Sequence, residues 1–185
     1  AGVYAGGNSG DAEAAVDITA LGGDVSINDS VKAEADSRDG SGNATANLNI
    51  SASGDVNIDW YEGETVKAEA TVENPDSHQY EGDATANVNI DAGGSVNIAD
   101  RVKAIAEATE NAGDATAGIV INADNDKDGD GSVDIYDDVV AEATAVNISG
   151  DATASVDITA TEDVTIHSSS IDTVKADAYS ADNSG

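Results

Sequence analysis

The sequence predicts an all-β fold: a β-solenoid, a right-handed parallel β-helix of about five coils with three short strands in each. Two observations carry this. A phrase of alternating small apolar and polar residues returns at separations of 32, 40, 31 and 37 residues, each time followed by the same two shorter phrases. The segments between phrases vary in length while the phrases do not. Such self-similarity marks a repeat protein, in which one unit cannot bury its apolar face until its neighbours stack on it.

The first phrase reads DAEAAVDI at 11–18, NATANLNI at 43–50, DATANVNI at 83–90, DATAGIVI at 114–121 and DATASVDI at 151–158. The second reads DVSI, DVNI, SVNI, SVDI and DVTI, starting at residues 24, 55, 95, 132 and 163. The third reads VKAEA, VKAEA, VKAIA, VVAEA and VKADA, starting at 31, 66, 102, 139 and 174. Within one unit the apolar positions are Ala84, Ala86, Val88, Ile90 and Ala92, then Val96 and Ile98, then Val102, Ala104 and Ala106. Alternation at period two means strands with one dry and one wet face. Each strand pairs with its equivalent in the next coil at about 4.8 Å, so like residues form ladders. The whole chain, 1–185, reads as one solenoid with coils starting near 11, 43, 83, 114 and 151, and residues 1–10 as the tail of a preceding coil.

The corners agree. Eight residues separate the last inward alanine of the third phrase from the first of the next unit in three of four cases, Ala35 to Ala44, Ala106 to Ala115 and Ala143 to Ala152. Insertions fall only at corners, at 59–65, 71–83, 124–132 and 167–173, where a loop grows without disturbing the ladder.

The chain carries 37 Asp or Glu against 7 Lys or Arg, a formal charge of -30, with 3% aromatic residues. That balance is typical of disorder, and the regular apolar spacing argues against it. No apolar run is long enough to span a membrane, no cysteine exists for a disulfide or thiolate site, and no basic patch exists for nucleic acid. The sequence begins without Met, so a processed chain or a fragment is expected. Counting back nine residues from Ala12 places an inward residue of a preceding third strand at Val3, so the chain is expected to start inside that strand and the units to continue beyond it, in one polypeptide or as stacked copies.

On the wet faces, Lys32, Lys67, Lys103 and Lys175 form one column, and Glu34, Glu69, Glu142 and Asp177 form a second, interrupted by Ile105. A solvated face with cross-strand pairing accounts for both. Thr45, Thr85, Thr116 and Thr153 form a single Thr column; an ice-binding face would want two.

The sharpest motif is the unit-four insertion. Read from Asp126, D-K-D-G-D-G-S-V-D-I-Y-D places carboxylates at positions 1, 3, 5, 9 and 12 and Gly131 at position 6, as in calcium loops of EF-hand and dockerin type. Expected Ca²⁺ ligands are Asp126, Asp128, Asp130, the Ser132 carbonyl and Asp137, with Asp134 through water and Asp124 in reserve. Asp137 replaces the usual Glu, and strands replace the flanking helices. Sequons at Asn28, Asn43, Asn49 and Asn147 are candidate glycosylation sites in an exported protein.

Catalytic candidates are thin, and the chain is not expected to be an enzyme. His78 and His167 lie in different corners, Ser168, Ser169 and Ser170 beside His167 read as loop composition, and Arg38 and Arg101 are too far apart to serve one sugar. Trp60 and Tyr61 could stack on a sugar or touch a partner.

The phrases GDATANVNIDAGGSVNIADRVKAIAEA and GDATASVDITATEDVTI resemble, across residues 11–178, the repeats of secreted β-helical adhesins, the filamentous-haemagglutinin-like proteins. The resemblance implies a three-faced solenoid outside the cell, at its surface, acting in adhesion, matrix or surface architecture. The expected function is therefore an extracellular structural one, as a repeat segment or subunit of a filament, fibre or adhesin stalk stabilised by calcium. Its main partner is itself, by head-to-tail stacking, with surface glycans as further partners. The alternative is a carbohydrate-binding or polysaccharide-cleaving β-helix.

Overall fold

The computed structural model describes residues 10–38, 42–59, 66–73, 82–109, 112–124, 131–146, 150–167 and 174–181, together with the backbone of 2–7. Among the described residues every element is a β-strand, and the strands assemble into three parallel sheets. The first sheet holds β2 (Ala12–Ala20), β5 (Ala44–Ala52), β8 (Ala84–Ala92), β11 (Ala115–Asn122) and β14 (Ala152–Thr159) in chain order. The second holds the short β3 (Val25–Ile27), β6 (Val56–Ile58), β9 (Val96–Ile98), β12 (Val133–Ile135) and β15 (Val164–Ile166). The third holds six strands, β1 (Gly2–Gly7), β4 (Val31–Arg38), β7 (Val66–Glu73), β10 (Val102–Thr109), β13 (Val139–Val146) and β16 (Val174–Ala181). The chain winds from first to second to third sheet and repeats, which is a β-solenoid of tandem units.

The register has no slip. Ala44 pairs with Ala84, Leu48 with Val88 and Ile50 with Ile90, so each inward side chain rests on its counterpart one coil away. The ten inward residues from Ala84 to Ala106 named above are each no more than 1% exposed. A one-residue slip would turn every one of them outward, which is why the apolar alternation fixes the pairing.

The third strand runs further than its phrase. It continues through an eleventh inward position held by Ser37, Val72, Ala108 and Ala145, all at most 2% exposed. Ser37 fits there because its hydroxyl donates to the Gly10 carbonyl at 3.2 Å. Residue types at this position are too mixed for the repeat to reveal it.

Ile90 is fully buried between Ile50 and Ile121, whereas Thr85 lies on the wet face of the same strand. Ile90→Ala should cost about 2–5 kcal/mol in urea unfolding, and Thr85→Ala no more than about 0.5.

Candidate functional site

Two features lie beyond the hydrophobic ladders: the corner columns and the acidic insertion of unit four. At the corner entering the first sheet, Gly10, Gly42, Gly82, Gly113 and Gly150 each precede an Asp or Asn. A Cβ on Gly42 would overlap the Gly10 backbone, and one on Gly82 would overlap the Gly42 carbonyl, so this column closes only with glycine. The following side chains form a hydrogen-bonded ladder. Asp11 Oδ1 accepts the Asn43 amide at 2.9 Å, Asn43 Oδ1 accepts Asp83 at 2.8 Å, Asp83 accepts Asp114 at 3.0 Å, and Asp114 accepts Asp151 at 2.8 Å. A second column runs at the next corner, from Asp24 to the Asp55 amide and from Asp55 to Ser95, at 2.9 and 2.8 Å. The G-D and G-N dipeptides before each first phrase were the available sign of the first column.

The insertion opens between β11 and β12 and closes on itself at a narrow neck. Asp124 is buried there with φ 64°, a left-handed conformation that Asp tolerates better than most residues. A Cβ on Gly131 would overlap the Asp124 backbone nitrogen, so the chain leaves and re-enters the coil at touching points. Asp124 donates its amide to the Gly94 carbonyl of the preceding coil at 2.9 Å. Gly131 donates to Thr161 Oγ1 of the following coil at 3.2 Å and accepts the Glu162 amide at 3.0 Å. Asp126, Asp128 and Asp130 lie outside the described residues.

The remaining expected ligands do not gather at this neck. The Ser132 carbonyl accepts the Val96 amide at 2.8 Å as part of the ladder, and its hydroxyl lies 3.4 Å from Glu162 Oε2. Asp134 projects from the wet face of β12, with Oδ1 buried and 3.0 Å from His167 Nε2. Asp137 stands past the far end of β12, where Oδ2 accepts from Arg101 Nε at 3.2 Å and Oδ1 accepts the Asp138 amide at 2.9 Å. An EF-hand folds its twelfth residue back onto the ion through a helical turn. Here three extended residues, about 10 Å of strand, intervene instead. Ligands of one calcium ion lie within 2.3–2.6 Å of it, so Ser132 and Asp137 belong to different corners. Among the described residues no cluster of three metal-binding side chains occurs.

The corner beyond β12 gathers other chemistry. The Tyr136 ring stacks on His167 with centroids 4.7 Å apart and planes at 19°, and both side chains are about half exposed. Asp137, with Asp100 and Asp138 behind it, raises the Arg101 guanidinium above its already high ordinary range, against a smaller opposing effect of burial. On the third sheet, Lys175 donates hydrogen bonds to the Asp177 and Glu142 carboxylates, which likewise raise its ammonium above the ordinary range. The two charged columns lie as the repeat predicts, with Lys32 beside Lys67 and Glu34 beside Glu69, and pairs such as Lys67 to Glu69 at 2.8 Å form between them.

Of the sequons, Asn28 is exposed at a corner. Asn43 is an exposed rung of the ladder, and Asn49 donates Nδ2, the atom a glycan would occupy, to Asp17 at 2.7 Å. Asn147, Trp60, Tyr61, His78 and Ser168, Ser169 and Ser170 lie outside the described residues.

Comparison with protein-family models, with curated proteins and with solved structures finds no match to this chain.

The ladder role of Asp114 depends on an acceptor oxygen, which Asn43 also supplies two rungs away. Asp114→Asn should leave stability within about 0.5 kcal/mol of the parent in urea unfolding, and Asp114→Ala should lose about 1 kcal/mol.

Proposed function

We propose that the chain is an extracellular structural element, a repeat segment or subunit of a cell-surface filament, matrix fibre or adhesin stalk. It is extended by end-to-end stacking of coils and stabilised by calcium at the unit-four loop. The observation that carries this reading is the unbroken register: the same columns run through every coil, so either end presents the pattern that another coil would continue. A solenoid elongates by addition at its open strand edges, and a head-to-tail contact of this kind does not close into a ring of fixed size. Electron microscopy and sedimentation at physiological salt with millimolar Ca²⁺ should show filaments or large assemblies. A monodisperse monomer with and without Ca²⁺ would overturn the stacking.

For the cation, Asp124, Asp126, Asp128 and Asp130 are the donors, with carboxylates spaced as hard oxygen ligands require. Seven carboxylates between 124 and 138 repel one another, and a divalent ion relieves that repulsion. Calcium at a hundredfold excess over its Kd adds about 2.7 kcal/mol, which for a chain of this size is about 5–10 °C in Tm. Chelator at low salt should remove that increment, and Asp126→Asn with Asp128→Asn should abolish it in a calorimetric Ca²⁺ titration. An unchanged melting curve would leave the acidic loop a solubility feature only.

A second reading is favoured by the exposed Tyr136 and His167 stack, which sits beside Arg101, Asp134 and Asp137 on one corner. An aromatic platform rimmed by polar groups suits a carbohydrate. A glycan array should then show binding that Tyr136→Ala removes, and an array blank for the parent protein would dismiss it.

A further inference from the structure

The outward face of the first sheet differs from the rest of the surface in charge. β5, β8 and β11 each turn four residues outward, from Thr45 to Ser51, Thr85 to Asp91 and Thr116 to Asn122, and of these only Asp91 is charged. The equivalent positions of β7, β10 and β13 on the third sheet carry Lys67, Glu69, Glu73, Lys103, Glu107 and Glu142. In the second sheet, β6, β9 and β12 turn out a single residue per coil, so that sheet offers no comparable face. In a chain of formal charge -30, the first sheet is therefore the broad surface, among the described residues, on which like charge is nearly absent.

The face is also flat and held from within. No side chain that these three strands turn outward is longer than Asn or Asp. Asn87 Nδ2 donates to Asn47 Oδ1 at 3.1 Å, and Asn49 Nδ2 donates to Asp17 Oδ1 at 2.7 Å. An amide has two N–H donors and two acceptor lone pairs, so each keeps bonding capacity beyond its ladder, and Thr and Ser hydroxyls both donate and accept. Groups of this kind can meet copies of themselves, which carboxylates and ammonium groups cannot. Val120, 37% exposed on the same strand face as Gly118, adds an apolar contact between Asn89 and Asp157 of the adjoining coils.

We propose that this face is a self-association surface, on which the first sheet of a second copy packs so that two solenoids lie side by side. Two molecules that each carry -30 meet at least cost where neither presents charge, and a face whose groups both donate and accept is its own complement, as an isologous contact requires. Sheets packed face to face stand about 10 Å apart, a gap that short side chains fill. Eight residues of strand across five strands span about 27 by 24 Å, or about 650 Å² per copy and about 1,300 Å² in all, within the range of specific interfaces. The ladder bonds have already ordered the amides, so pairing here loses less side-chain entropy than it would on the Lys and Glu columns. The inference goes beyond end-to-end stacking and does not need it: stacking lengthens a solenoid, whereas pairing doubles its cross-section.

Small-angle scattering reads that cross-section whether or not ends stack. In high salt, which screens the net charge, the cross-section of the parent should rise with protein concentration from that of one solenoid to that of two. Val120→Lys, beside Asp157, and separately Asn89→Lys put a long charged side chain on the face while lowering the net negative charge. Each should melt as the parent does, keep the cross-section of one solenoid, and weaken pairing by about tenfold or more in sedimentation equilibrium. Thr144→Lys, beside Glu107, makes the same change of charge on the third sheet and should leave pairing within about twofold of the parent. A single-solenoid cross-section for the parent at every concentration would overturn the pairing, and pairing undiminished in both first-sheet variants would overturn the assignment of the face. Retention of an unpaired parent on a neutral polysaccharide, or arrest of ice growth by it, lost in Val120→Lys, would give the face to another occupant and overturn the pairing as well.

Discussion

Everything in this molecule depends on parallel pairing at zero shift between successive coils. With coils about 4.8 Å apart, a side chain has as its nearest neighbour the residue at the same position one unit away. The sequence must then satisfy each column by itself. Inward columns do so with residues of similar volume, such as Ile50, Ile90 and Ile121. Outward columns do so by amide ladders, Asn47 to Asn87 and Asn57 to Asn97, whose donors and acceptors both recur at the repeat distance. Where the backbone itself crowds, at the corner entering the first sheet, only glycine fits.

The same constraint turns a large negative charge into an ordered arrangement. Stacking puts like charges one above another, which is unfavourable for exposed groups in the same column. Part of the cost is met by a column of lysines two residues from the column of acids. Another part is met at the corners, where Asp11, Asp24, Asp55, Asp83 and Asp114 each accept a backbone amide from the next coil. A hydrogen bond from a neutral donor to an ionised acceptor is stronger than a neutral pair, so these carboxylates contribute to the stacking while remaining exposed. The repulsion left over concentrates in the unit-four insertion. The insertion leaves and re-enters the coil at Asp124 and Gly131, which touch.

The sequence by itself determined the strands, the three-sheet solenoid, the inward residues and the charged columns, because alternation and repeat are local in the chain and the register follows from matching them. It did not reveal the ladder of Asp11, Asn43, Asp83 and Asp114, since an Asp before a strand looks the same whether its oxygen meets water or an amide 31 to 40 residues away. It also grouped Ser132, Asp134 and Asp137 with the loop carboxylates, because a linear motif carries no information on where the chain stays extended. Only the tertiary structure, by holding residues 133–135 straight between β9 and β15, separated Asp137 toward Arg101 and Asp134 toward His167.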